Sequence, residues 1–294
     1  MKNIFITEKS SDYELLDSGD GNKLERYGNV VVSRPDPQVL WSKSLSEAEW
    51  GKASAVFEQG GAKGKWKKLD GIGNLESMKA SWKIGFDGLI FNLQLLPSKH
   101  LGVFPEQSYH WKWLEDKIKS ENRKIKVLNL FGYTGGSTLA CARAGAEICH
   151  LDASEFAVDL VVKNMADSGM KDKPVRFIVD DVRKFVEREI KRGNKYDIII
   201  MDPPVYGKGV KKEVWKIEED LMPFISRVQK IISDNPVAVI LNGYSSGYSH
   251  ITYAQVLQTI VKDFGGELSS GELAIKESSS DRLLPCGIFA RWNK

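Results

Sequence analysis

The 294-residue chain is 42% hydrophobic and 28% charged and carries a net charge of +3, a balance that excludes a disordered chain and a globally basic nucleic-acid binder, so any basic surface must be local. No apolar run reaches the ~18 residues of a transmembrane helix, and Met1 to Glu8 hold too short an apolar stretch for a secretory signal. Cys141, Cys149 and Cys286 lack metal or disulfide spacing, and His100, His110, His150 and His250 are scattered, so no metal site is expected and a reducing cytoplasm is the expected compartment.

The length suggests two compact units. Residues 1–96 read as a β-rich N-terminal domain: short extended pieces at Gly28–Ser33, Ala80–Ile84 and Leu89–Leu93 lie between Gly, Asp, Asn and Pro turns. Residues 97–294 read as a second domain. Pro97 to Pro105 is a connector, and Tyr109 to Leu114 open an amphipathic helix. From Ile125 the pattern alternates. Strands are predicted at Lys126–Phe131, Glu147–Asp152, Val175–Asp180, Tyr196–Met201 and Val237–Tyr244. Helices are predicted at Gly136–Ala144, Glu155–Ser168, Val182–Arg192, Val214–Ser233 and Tyr253–Phe264. Leu273–Lys276 and Gly287–Trp292 read as a closing strand pair. This is an α/β, Rossmann-like pattern: a mostly parallel sheet with helices on both faces and a closing antiparallel strand.

Four places in this pattern bear on chemistry. The run Val127 to Phe131 breaks into Gly132-Tyr133-Thr134-Gly135-Gly136 before a helix, so bare backbone amides face outward at a helix start. Asp152 ends the next strand, where a ribose diol would lie and where a carboxylate can accept two hydroxyl hydrogen bonds; Ser154 can cap the following helix instead. Asp180-Asp181-Val182 ends the third strand, either to meet an adenine or to cap a helix. Asp202-Pro203-Pro204-Val205-Tyr206 follows the fourth strand. Its prolines fix two φ angles and remove two amide donors, which makes Asp202 and the Pro203 carbonyl fixed acceptors at the sheet edge. Tyr206 offers a ring on which a base can stack.

Together these motifs resemble class I S-adenosylmethionine-dependent methyltransferases, in particular the bacterial ribosomal RNA large-subunit enzymes of the 5-methylcytosine and 7-methylguanine group. The resemblance covers residues 90–294. It rests on Asn129-Leu130-Phe131-Gly132-Tyr133-Thr134-Gly135-Gly136, Asp152, Asp180-Asp181-Val182, Asp202-Pro203-Pro204 and the segment Gly102-Val103-Phe104-Pro105-Glu106-Gln107. It implies S-adenosylmethionine as cofactor, with S-adenosylhomocysteine as product. Gln107, Asn129, Phe131, Gly132, Tyr133, Thr134, Gly135, Gly136, Asp152, Ala153, Ser154, Asp181, Val182 and Asp202 would form its site. Asp202, Pro203 and Tyr206 would act at the transfer step, and the N-terminal domain would help bind RNA.

The expected acceptor is a base of ribosomal RNA. Pyrimidine carbon-5 methylation needs a thiolate nucleophile, and no cysteine follows the fourth or fifth strand. Amine methylation commonly places an aromatic directly after the double proline, where Val205 stands. A ring nitrogen needs only positioning. Lys208, Lys211 and Lys212 are expected to hold phosphates near the target base, or to form a solvated loop. Lys63-Gly64-Lys65-Trp66-Lys67-Lys68 reads either as a single-strand platform or as an exposed hairpin. The competing readings are a nicotinamide-dependent oxidoreductase, disfavoured because G-x-G-x-x-G is absent, a methyltransferase on a small molecule or protein, and a non-catalytic RNA-binding factor.

Overall fold

A computed structural model describes residues 3–60, 64–68, 81–209, 213–244 and 247–294. The chain divides into two compact units: one of Met1–Phe5, Tyr109–Leu273 and Gly287–Lys294, the other of Ile6–Ser108 and Ala274–Cys286.

After strand β1 (Ile4–Thr7), the second unit contains β2 (Tyr13–Gly19), β3 (Asn22–Tyr27), β4 (Val30–Pro35), the short helix α1 (Glu47–Trp50), β5 (Ala55–Glu58), β6 (Lys65–Lys68), β7 (Trp82–Phe86) and β8 (Leu89–Leu93). Strands β2 to β6 make one sheet in sequence order, antiparallel except for the β4–β5 pair, and β7–β8 make a separate hairpin. The β-rich reading of this region holds. The β2–β3 and β7–β8 turns place Asp20-Gly21 and Asp87-Gly88 at positive φ, the signature of tight hairpins. Trp66 gives its indole N–H to the Leu96 carbonyl at 2.9 Å and packs edge-on against Phe57, while Lys67 pairs with Glu58. Lys63 lies outside the described residues.

The first unit continues with α2 (Ser108–Lys119), β9 (Lys126–Leu130), α3 (Gly136–Arg143), β10 (Glu147–Asp152), α4 (Glu155–Asp167), β11 (Val175–Val179), α5 (Val182–Arg192) and β12 (Ile198–Met201). A hairpin β13 (Tyr206–Lys208) and β14 (Val214–Lys216), α6 (Ile217–Val228), β15 (Ala238–Gly243), α7 (His250–Val261), β16 (Glu267–Lys276) and β17 (Leu283–Asn293) complete the chain. The large sheet has the order β1-β16-β17-β15-β12-β9-β10-β11, parallel from β15 to β11 and antiparallel at β15–β17. Its parallel strands are apolar runs because helices cover both faces. Leu128, Leu130, Ile199, Met201, Phe185, Phe224 and Leu257 share one buried core.

One predicted helix opens on a strand instead. Val214–Lys216 is not the start of a helix: it pairs antiparallel with Tyr206–Lys208, and the helix begins at Ile217. The acidic run Glu218-Glu219-Asp220 marks the true first turn, and Asp220 accepts the Lys216 backbone N–H at 2.8 Å. No helix among the described residues is long and apolar enough to cross a membrane.

Candidate functional site

Successive strands β9, β10 and β11 step outward in one direction, and the chain then returns to place β12 on the other side of β9. The cleft at such a reversal, beyond the C-terminal strand ends, is where open α/β sheets bind ligands. The glycine turn after β9, Asp152 after β10, Asp181 after β11 and Asp202 after β12 all fall on this edge.

The glycine turn is held in an uncommon conformation. Phe131 and Tyr133, neither of them glycine, have φ of 57° and 47°, and Gly135, at 89°, caps α3. Non-glycine residues in this region are strained and persist only where surroundings fix them. The fixings are visible. Gly132 N–H donates to the Leu151 carbonyl at 2.9 Å, and Tyr133 N–H donates to Asp152 Oδ2 at 2.9 Å. The Thr134 carbonyl accepts from Asn164 at 3.0 Å. Beneath the turn, Asn129 donates to the Thr138 hydroxyl at 2.9 Å, and Thr138 lies 2.8 Å from His150 Nδ1. Burial lowers the His150 pKa to about 4, so the imidazole is neutral. A Cβ on Gly132 would stand 2.5 Å from His150 Cε1 and 3.1 Å from the Asn129 amide, so this network leaves room only for glycine.

Asp152 is fixed from two sides, with Oδ2 on Tyr133 N–H and Oδ1 on Ser154 N–H at 2.8 Å. Burial raises its pKa, while the backbone N–H groups of Ser154, Tyr133 and Ala153 oppose the rise. Ser154 caps α4 by accepting from Ala157 N–H. Asp181 caps α5: its carboxylate accepts from Arg183 and Lys184 N–H and pairs with the Arg183 guanidinium at 3.0 Å. Val182 is the buried first residue of that helix. Gln107 is buried at the end of the 3-10 turn Pro105–Gln107 and belongs to the other unit.

The D-P-P loop runs directly into the β13–β14 hairpin. Tyr206 is 56% exposed there, and Lys208 is exposed beside it; Lys211 and Lys212 lie outside the described residues. The sequence reading did not find what anchors this loop. Trp215, buried on β14, donates its indole N–H to the Pro204 carbonyl at 2.7 Å. Its ring packs edge-on against Phe131 and Phe224 at 5.1 and 5.6 Å. Arg183 donates to the Val214 carbonyl at 3.0 Å and to Asp220 at 2.9 Å while holding Asp181. One tryptophan therefore touches both Phe131, the residue that leads into the glycine turn, and the second proline of the D-P-P loop.

This donor set fits S-adenosylmethionine. Carboxylates at adjacent strand ends suit ribose hydroxyls and a sulfonium cation, but the N–H groups of Gly132, Tyr133 and Gly135 are bonded within the protein, so the turn offers a ligand a fixed surface rather than the row of bare amides expected from its sequence. Among the described residues no group of three His, Cys, Asp or Glu side chains is placed to hold a metal ion.

Comparison with known proteins agrees. The family model described as S-adenosylmethionine-dependent methyltransferase matches residues 72–236. A crystal structure of a SAM-dependent methyltransferase from Agrobacterium tumefaciens is 35% identical with a TM-score of 0.92, covering 99% of this chain and 93% of that one. A putative ribosomal RNA large subunit methyltransferase from Methanocaldococcus jannaschii is 31% identical over 137 residues, 47% of this chain and 32% of that protein. Ribosomal RNA large subunit methyltransferase K/L from Shewanella frigidimarina is 27% identical over 157 residues, 53% of this chain and 21% of that protein. The matched stretch is thus about a third or less of these curated relatives' length. With a family match over more than half its length and a relative aligned end to end, the chain belongs to the S-adenosylmethionine-dependent methyltransferases.

Proposed function

We propose that this methyltransferase acts on a base nitrogen of ribosomal RNA. The observation that carries the reading is the exposed Tyr206 ring, mounted on a hairpin that Trp215 ties to the D-P-P loop, with Lys208 exposed beside it. An aromatic face next to a cation suits an unstacked base and its phosphate. The names of the two curated relatives point the same way.

The cysteines favour nitrogen over carbon. Attack on a pyrimidine ring needs a thiolate, and burial raises the pKa of all three thiols: Cys149 to about 11, Cys141 and Cys286 further. Cys141 lies in α3, Cys149 lies within β10, and Cys286 belongs to the other unit.

When bound, S-adenosylmethionine supplies an electrophilic methyl group. In this reading Asn129, Phe131, Gly132, Tyr133, Thr134, Gly135 and Gly136 form the floor for the methionyl part, Asp152 with Ala153 and Ser154 takes the ribose, and Asp181 and Val182 border the adenine. The resemblance adds Gln107. Asp202 and the Pro203 carbonyl accept from the base edge while Tyr206 stacks on it, which aims a ring-nitrogen lone pair without a general base. Lys208, Lys211 and Lys212 meet phosphates. A cytoplasmic location follows from a ribosomal substrate.

The test is mass spectrometry of ribosomal RNA nucleosides from wild type and a deletion strain. One N-methylated nucleoside should vanish and return when the purified enzyme treats the deletion-strain RNA. Identical nucleoside profiles would overturn the proposal.

A further inference from the structure

Tyr253, on α7, is 1% exposed, and its hydroxyl has no hydrogen-bond partner among the described residues. A buried hydroxyl without a partner costs stability, and phenylalanine would fill the same space without that cost, so packing does not account for the oxygen. Such atoms call for an explanation, catalysis among them.

Its position supplies one. Strands β12 and β15 run parallel with Met201 opposite Leu241, so Asp202 and Gly243 follow at the same C-terminal edge. The phenol lies directly against Gly243: a Cβ there would overlap the hydroxyl oxygen and come within 2.6 Å of Cε1. The hydroxyl therefore sits beside the strand end from which the D-P-P loop departs. Burial, and after it the charge of Asp202, holds the phenol pKa well above its ordinary range, so it stays protonated and is available as a donor.

We infer that Tyr253 is a positioning residue of the methyl-transfer site, its hydroxyl being the donor that orients the Asp202 carboxylate when the acceptor enters. This rests on the D-P-P edge being the place of transfer, as in the proposal above. Hydrogen bonds of this kind are commonly long in the free enzyme and close in the substrate complex.

The discriminating variant is Tyr253→Phe in the full chain. Wild type and variant are incubated with S-adenosylmethionine carrying a labelled methyl group and an extract of the deletion strain, then RNA, protein and small molecules are separated. The rate is read on whichever fraction wild type labels. Labelling outside RNA would reject the ribosomal substrate while still judging Tyr253. The expected result is a kcat lower by roughly tenfold or more, an unchanged KM and S-adenosylhomocysteine thermal shift, and a melting temperature at or above wild type. A kcat within about twofold of wild type, or a lower kcat accompanied by a fall in melting temperature or loss of the S-adenosylhomocysteine shift, would overturn the inference.

Discussion

Asp152 shows how one carboxylate can serve both the fold and a ligand. Its oxygens already accept backbone N–H groups, Oδ2 from Tyr133 and Oδ1 from Ser154, yet a carboxylate has about four lone-pair sites and so retains capacity for a ribose hydroxyl. The Tyr133 bond also helps hold a residue at φ 47°, so the acid shapes the turn that it borders. Asp152→Ala removes both functions. We expect it to abolish the thermal stabilisation given by S-adenosylhomocysteine, which for wild type at a hundredfold excess over Kd is about 2.7 kcal/mol. It should also lower intrinsic stability by roughly 1–3 kcal/mol, since two amides lose their acceptor. Differential scanning fluorimetry with and without the ligand reads both effects; a variant that still shifts as wild type does would remove Asp152 from the cofactor site.

At the scale of elements, the hairpin after the D-P-P loop is what makes that loop a fixed object. The prolines restrict φ within the loop, but its direction is set by the bond from Trp215 to the Pro204 carbonyl and by the Arg183 contacts to Val214 and Asp220. Trp215→Phe keeps an aromatic between Phe131 and Phe224 and deletes only the N–H donor. The expected result is a kcat about tenfold lower with little change in S-adenosylhomocysteine affinity, because a loosened loop misplaces the acceptor rather than the cofactor. Single-turnover rates alongside calorimetric Kd values separate the two, and unchanged turnover would show that the prolines alone suffice. The contrast explains what the sequence could and could not reveal. Strand β10 and helix α5 were readable to the residue because an apolar run, a capping acid at Asp181 and Gly193 at the C-terminus act locally. The glycine turn and the double proline were readable for the same reason. Trp215 was not: Val214-Trp215-Lys216 runs without a turn residue into the acidic helix start, and its partner Pro204 lies eleven positions earlier. Arg183 and Tyr253 were equally hidden, since an ordinary helix surface arginine and an ordinary core tyrosine acquire meaning only from what tertiary folding brings beside them.

Across the whole molecule, the second unit is unusual in burying charge. Glu25 is fully buried and accepts from Tyr13, Tyr27 and twice from Arg34, at 2.6–3.1 Å. Burial alone would raise its pKa, but Arg34 and Lys23 override this and hold it at about 2. Its contribution is therefore present above the unfolded carboxylate range and is lost as pH falls toward 2. Glu106, buried in the same unit, behaves oppositely. Burial raises its pKa to about 7, with Lys23 and Arg34 too weak in their opposing effect to prevent it. The folded state thus binds a proton that the unfolded chain releases near pH 4.5. That stabilisation is complete below about pH 4.5 and declines as pH rises through about 7. The displacement corresponds to a loss on the order of 3 kcal/mol across this window. Glu106→Gln keeps the shape and removes the titration. Its melting temperature should hold steady between pH 5 and 7.5, in the window where Glu106 makes the wild-type value decline, and the variant should be the more stable protein at the upper end. Melting curves of the two proteins across that range decide the matter: parallel profiles would mean that Glu106 ionises at its ordinary pH, with the charged pair of Lys23 and Arg34 sufficient to stabilise it.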